Sequence, residues 1–255
     1  MRPKKHFGQH FLTDTNTALQ IVQALQGIDF EKVVEVGPGK GILTQHLQTT
    51  YGDKLYVVEI DPEAAAFVTD LIPAIKPQLF LEDFLKWDPA QTECLSLAVI
   101  GNFPYNISSQ ILFRILDNRP MIPLVVGMFQ KEVADRVREQ PGSKTYGILS
   151  VLIQAYYEVE QVMTLQPGAF FPPPKVKSSV IRLVRRETPR ILADEKWFRQ
   201  VVKLAFNQRR KTLRNALKTV ILPSFGEVPY LTKRAEELSV EAFDELARAL
   251  RPDRT

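Results

Sequence analysis

Four consecutive residues, Asn102-Phe103-Pro104-Tyr105, carry the most specific chemistry in this 255-residue chain. An amine conjugated to a ring, such as the exocyclic N6 of adenine, is a poor nucleophile because its lone pair is delocalised. Two acceptors correct that. The Asn102 side-chain oxygen and the Pro104 carbonyl can take both N6 hydrogens, localise the lone pair towards an electrophilic methyl group, and stabilise the positive charge that grows on nitrogen. No side-chain base is needed, since a freshly alkylated amine is acidic. Tyr105 adds a flat face on which a base can stack, worth about 1–3 kcal/mol per base. A second face would come from Phe170 or Phe171, where Pro172, Pro173 and Pro174 stiffen the loop; Phe170 is taken as the candidate.

The methyl group needs a donor, and a second constellation suits one. Glu35-Val36-Gly37-Pro38-Gly39-Lys40-Gly41 is a glycine-rich turn where backbone can approach a ligand without Cβ obstruction. Its G-x-G-x-G spacing, with an acid two residues before the first glycine, differs from the G-x-G-x-x-G of a dinucleotide site. The pattern favours a methyl donor over a nicotinamide dinucleotide. Glu59, twenty-two residues after Gly37, can accept both ribose hydroxyls of an adenosine. Asp83 can accept the amino group of its adenine, or merely cap a helix.

These residues fall at the ends of strand-like runs. KVVEV (32–36), KLYVVEI (54–60), QLFLE (78–82), LSLAVIG (95–101) and PLVVGMF (123–129) alternate with helix-length segments, the pattern of an α/β parallel sheet. Residues 156–165 and 178–185 follow without an intervening helix and predict an antiparallel hairpin at one sheet edge. The loop-like stretch 141–147 is expected over the functional edge. Beyond Thr188-Pro189 the chain reads as helices around 194–206, 208–221, 232–237 and 239–250. The expected domains are 1–187 and 188–255.

Composition narrows the class. Cys94 is the single cysteine, and no Cys/His cluster has metal-ligand spacing, so neither a disulfide nor a metal is expected. No run is apolar enough for a signal peptide or a membrane span, and a soluble, cytoplasmic chain is expected. The net charge of +4 is mild, but its distribution is uneven. Arg2, Lys4 and Lys5 precede any acid, and six cations occur from Lys203 to Lys218 without a carboxylate. On a helix, Arg210, Arg214 and Lys218 would share an i, i+4, i+8 stripe with Lys211 beside it, opposite an apolar face of Leu213, Ala216 and Leu217. That stripe is the expected RNA backbone contact; a merely solvated face is the alternative.

Taken together, Phe7-Gly8-Gln9-His10-Phe11-Leu12, Glu35 to Gly41, Glu59, Asp83, Asn102 to Tyr105, and Phe170 to Ser178 resemble the ribosomal RNA adenine dimethyltransferase family over nearly the whole chain. The resemblance implies a Rossmann-like, seven-stranded methyltransferase sheet with a small all-helical C-terminal domain. It implies S-adenosyl-L-methionine as cofactor, lined by His10, Leu12, Gly37, Glu59, Asp83 and Asn102. The basic segment NQRRKTLRNALK is similar to the small-subunit branch, which dimethylates two adjacent adenosines in a hairpin loop near the 3′ end of small-subunit rRNA. The expected partner is then that RNA in the immature small subunit, met by a monomer. Two positions depart from the family pattern: His10 stands where Asn is usual, and Phe103 where Leu is usual, where it would narrow the pocket. The rival readings are methylation of DNA adenine or of a protein glutamine, and a non-catalytic assembly factor on the same scaffold.

Overall fold

The computed structural model describes residues 4, 8–222 and 226–251; Arg2, Lys5 and Phe7 of the expectations above lie outside that set. The strands are β1 (Phe11–Leu12), β2 (Lys32–Val36), β3 (Leu55–Val58), β4 (Leu79–Phe80), β5 (Leu97–Asn102), β6 (Leu124–Gln130), β7 (Tyr157–Leu165), β8 (Phe170–Phe171) and β9 (Ser178–Arg185). Seven of them form one sheet in the order β4-β3-β2-β5-β6-β9-β7. The first five in that order are parallel, and β9 runs antiparallel to β6. The two runs expected as an edge hairpin are therefore neighbours at one edge, with β9 inside and β7 outermost.

The helices are α1 (Thr15–Gln23), α2 (Ile42–Tyr51), α3 (Pro62–Leu71), α4 (Ser108–Asp117), α5 (Lys131–Arg138), α6 (Ile148–Tyr156), α7 (Glu195–Asn207), α8 (Leu213–Ala216) and α9 (Val240–Ala249). Strands β2, β5 and β6 are apolar almost throughout because both sheet faces are covered. Helix starts are fixed by side-chain caps: Asp14 accepts from the Asn16 and Thr17 amides, and Asp61, followed by Pro62, accepts from Glu63 N. The strand order reverses about β2 and β5, so their carboxyl ends open a crevice there. The separate two-stranded β1–β8 sheet pairs Phe11 with Phe171 and Leu12 with Phe170. That pairing sets Leu12 and Phe170 side by side in the core with Ile21, Ile100 and Met128.

The chain forms two compact units, residues 1–134 with 158–185, and residues 135–157 with 186–255. The second unit thus takes in more than the expected 188–255. The reason is α6, whose residues Leu149–Tyr156 are all buried and so need partners on every side. Within that unit the 141–147 stretch is held by Gly142 N donating to Glu236 O and by Arg209 donating to the carbonyls of Ser143 and Tyr146.

The helix expected over 208–221 does not form; only α8 is helical. Thr212 is extended and bridges Arg234, while Leu213 N donates to Lys233 O and Arg214 N to Leu231 O. Those amides would have closed helical turns onto residues 209 and 210. The i, i+4, i+8 stripe of Arg210, Arg214 and Lys218 is therefore lost, although Leu213, Ala216 and Leu217 are buried as expected. The segment expected as a helix at 232–237 shortens to one turn, Ala235–Glu237. Among the described residues no helix is long and apolar enough to cross a membrane.

Candidate active site

The carboxyl ends of β2, β3 and β5 open on a cavity of about 220 Å³ within the first unit. The turn after β2 holds Gly37, Gly39 and Gly41 at φ of 71°, 55° and 76°, a region that L side chains rarely adopt. A Cβ at Gly39 would come 2.9 Å from Phe11 Cδ1, so the turn is packed from behind. One at Gly37 would meet nothing within 4 Å, which leaves its backbone open to a ligand.

Three carboxylates, Glu35, Glu59 and Asp83, line this space. Glu59 is 5% exposed, and its Oε1 accepts from Asp61 N at 2.7 Å. Burial pushes the Glu59 carboxyl up to about 6, with the Asp61 amide pulling against it. Asp61 is itself buried and paired with Lys4 at 2.7 Å. Glu35 lies deeper: burial pushes its carboxyl up to about 8, and its Oε2 has no hydrogen-bond partner. Asp83 lines the cavity while its Oδ1 accepts from Leu85 N, so it caps a turn and keeps its second oxygen for another donor.

The loop after β5 supplies the other wall. Asn102 Nδ2 donates to His10 O at 2.7 Å, which fixes the amide and leaves Oδ1 as its free acceptor. The Pro104 carbonyl accepts from Ile107 N at 3.2 Å and from Ser108 Oγ at 3.3 Å. The Tyr105 hydroxyl is bonded to Ser178 Oγ, and its ring stacks on His10 at 5.4 Å between centroids and 26° between planes. Burial raises the Tyr105 phenol above its ordinary value.

These features match a known pattern along the chain: residues 1–248 fit the family described as Ribosomal RNA adenine dimethylase. The chain belongs to that family. The Ribosomal RNA small subunit methyltransferase A of Cytophaga hutchinsonii is 49% identical over 253 residues, covering 98% of both chains. The protein of that name from Flavobacterium johnsoniae is 48% identical over 258 residues, covering 99% of this chain and 97% of its own. Among solved structures, a dimethyladenosine transferase from Plasmodium falciparum superposes with a TM-score of 0.79 at 23% identity, covering 93% of this chain and 96% of its own. The 23S rRNA methyltransferase ErmE gives 0.70 at 25% identity, covering 94% and 99%. The sheet described above is accordingly a Rossmann-like methyltransferase fold, and the chain is an adenine dimethyltransferase of this family.

For a dimethylase of this family, the structure gathers His10, Leu12, Gly37, Glu59, Asp83 and Asn102 around one cavity, together with Pro104 and Tyr105. It does not bring Phe170 there. Phe170 is 3% exposed because β8 turns it inward beside Leu12, whereas Phe171 is 57% exposed. Phe103 borders the cavity but does not narrow it as the sequence suggested. It is 1% exposed, and its ring fills the space over Gly101 and Gly127, where added Cβ atoms would lie 3.0 and 2.4 Å from it. Arg210, Lys211, Arg214 and Lys218 are exposed in the second unit.

Sequence reasoning missed the supports. The Lys4–Asp61 pair spans 57 residues and left no local signal. Asp61 could have been found, since an Asp-Pro just past a strand reads as a helix cap that would also aim its amide back at Glu59.

Proposed function

We propose that the chain transfers methyl groups from S-adenosylmethionine to N6 of two adjacent adenosines in a hairpin loop near the 3′ end of small-subunit ribosomal RNA, forming N6,N6-dimethyladenosine. The observation that carries this reading is the anchored Asn102 amide, whose only free acceptor lies on the same cavity as Gly37 and Glu59. The small-subunit target rests on the relatives' names together with the identity to them.

The cavity suits the cofactor: an open glycine backbone, a partly satisfied carboxylate at the end of β3, and an orphaned buried oxygen on Glu35. Glu59 would hold the ribose, Asp83 the adenine amine, and Gly37 with the His10–Leu12 segment the remainder. When bound, the cofactor supplies an electrophilic methyl group on a sulfonium. Asn102 Oδ1 accepts one N6 hydrogen and gains strength as positive charge develops there. Pro104 O accepts the other on the lone pair left free when the single Ser108 hydroxyl hydrogen goes to Tyr105 O, its shorter contact at 3.2 Å, so that only Ile107 N holds Pro104 O. Tyr105, steadied by Ser178 and His10, offers the stacking surface. The ion pair of Lys4 with Asp61 keeps the Glu59 support in place.

In this reading the helical region 188–255 docks RNA through Arg210, Lys211, Arg214 and Lys218, and the protein acts as a cytoplasmic monomer on immature subunits. The test is to incubate it with labelled methyl donor and unmethylated small subunits, naked rRNA, or DNA, and to locate the label. Label on N6 of rRNA adenosines is expected; label only on DNA or protein would overturn the reading.

A further inference from the structure

The rim beside the glycine turn has a cation and an exposed aromatic ring to which the functional reading above gives no role. Phe171 is 57% exposed, held rigid by its pairing with Phe11 across the β1–β8 sheet. The Lys40 ammonium lies 5.4 Å from the Phe11 ring centroid and 5.7 Å from that of Phe171. Lys40 is exposed, and its contacts are these rings rather than a carboxylate among the described residues. Its position is set by the turn, since Gly39 packs directly on Phe11. The loop that follows Phe171 adds exposed Lys175 and Lys177.

Position separates Phe171 from the seat of the target base. Phe11 and Lys40 line the cavity, but Phe171 lies outside its lining. A polynucleotide chain that delivers one adenine into the cavity must place the next nucleotide at the mouth. A rigid ring next to a cation that meets no carboxylate among the described residues matches the two parts of a nucleotide, a stackable base and a phosphate.

We propose that Phe171 and Lys40 form a subsite for the nucleotide adjacent to the target adenosine, its base stacked on Phe171 and its phosphate met by Lys40. This inference rests on the RNA-methylating reading. The lysines at 175 and 177 extend the positive rim along the same strand of RNA.

The test uses the full chain and a fluorescein-labelled RNA hairpin with unmethylated loop adenosines, measured by anisotropy over a series of salt concentrations. Hairpins made abasic on either side of the target serve as partners. Phe171→Ala should weaken intact hairpin about ten-fold, and should cost nothing further on the hairpin that already lacks the neighbouring base. Phe171→Trp should bind as wild type does. Lys40→Gln should flatten the salt dependence by about 0.7 log units on every hairpin. Cofactor affinity of Phe171→Ala, measured by calorimetry, should be unchanged and reports that the variant is folded. Equal losses on intact and both abasic hairpins, or no loss, would overturn the subsite. If wild type methylates the hairpin while Phe171→Ala binds it normally, only the subsite fails. If wild type binds with this base-dependent pattern but leaves adenosine unmethylated in hairpin and small subunit alike, the functional reading fails and Phe171 with Lys40 remains a base-and-phosphate site without a methylation target. A wild type that binds no RNA overturns both.

Discussion

The strand ends of the first unit and the cationic run of the second hold their polar groups in opposite ways. Glu59 and Asn102 are each tied to a backbone partner at 2.7 Å, Glu59 accepting through Oε1 and Asn102 donating through Nδ2, which leaves Asn102 Oδ1 for a ligand. Arg210, Lys211, Arg214 and Lys218 stand exposed around the single turn of α8, with no ion-pair partner among the described residues. The first arrangement works by orientation, so deleting one atom should matter greatly. The second works by summed charge, so each group should count for little and should be replaceable by its neighbour.

Asn102→Ala is the strongest challenge to the orientation side. It should lower the single-turnover methylation rate by about 10²-fold, the range for loss of one oriented electrostatic group, while cofactor affinity changes far less. An unchanged rate in the folded variant would remove Asn102 from the chemistry and erase the contrast.

Glu59→Ala should weaken cofactor binding by about 1.5–3 kcal/mol, as for a charge-assisted hydrogen-bond pair. The pH dependence sharpens this. Burial holds the Glu59 carboxyl at about 6, so it is ionised above that pH and neutral below. Calorimetric affinity of wild type should fall as pH drops through about 6, and that of Glu59→Gln should not. A flat wild-type profile would show that the ribose does not depend on a charged Glu59.

Glu35 tests the same region through stability. Its folded carboxyl titrates near 8, against an ordinary value of 4.5, so the folded protein keeps a proton that the unfolded chain has lost between those limits. Stability must therefore decline as pH rises across that window. Glu35→Gln removes its share of the titration and should lessen the fall of Tm between about pH 6 and 8, above the window in which Glu59 also titrates. The same Tm profile in wild type and Glu35→Gln would show that Glu35 carries no extra proton into the fold.

What was legible in the sequence follows from how local each cause is. The strands, the glycine turn, Glu59, Asp83 and the Asn102–Tyr105 loop are set by short-range patterns, apolar runs, positive-φ glycines and caps, and each lies where its spacing predicted. Phe170 against Phe171 was not legible, because a two-residue strand has no periodicity and only its pairing with β1 decides which ring turns inward. The inward course of Phe103 needed Gly127 on the neighbouring strand. The 208–221 segment has good helical spacing, and it loses to bonds with Leu231 and Lys233 that no window of that length contains.

That loss reshapes the smallest of the expected effects. A helical stripe would make Arg210, Arg214 and Lys218 act together and leave Lys211 secondary. With α8 limited to Leu213–Ala216, no such ranking exists, and all four exposed cations should be equivalent. Single changes to Gln at Arg210, Lys211, Arg214 or Lys218 should each flatten the salt dependence of subunit binding by about 0.7–0.9 log units, if each meets one phosphate. Arg209 is the internal control. Its guanidinium donates to the carbonyls of Ser143 and Tyr146 and pairs with Glu236 at 3.2 Å, so its work is structural. Arg209→Gln should lower Tm, because the Tyr146 carbonyl loses the Arg209 donor and Glu236 its ion-pair partner, while the salt slope stays near that of wild type. Four unchanged slopes with unchanged affinity would leave this segment a solvated surface and move RNA docking elsewhere. One dominant residue among the four would show that a fixed geometry, absent from the free protein, forms on the RNA.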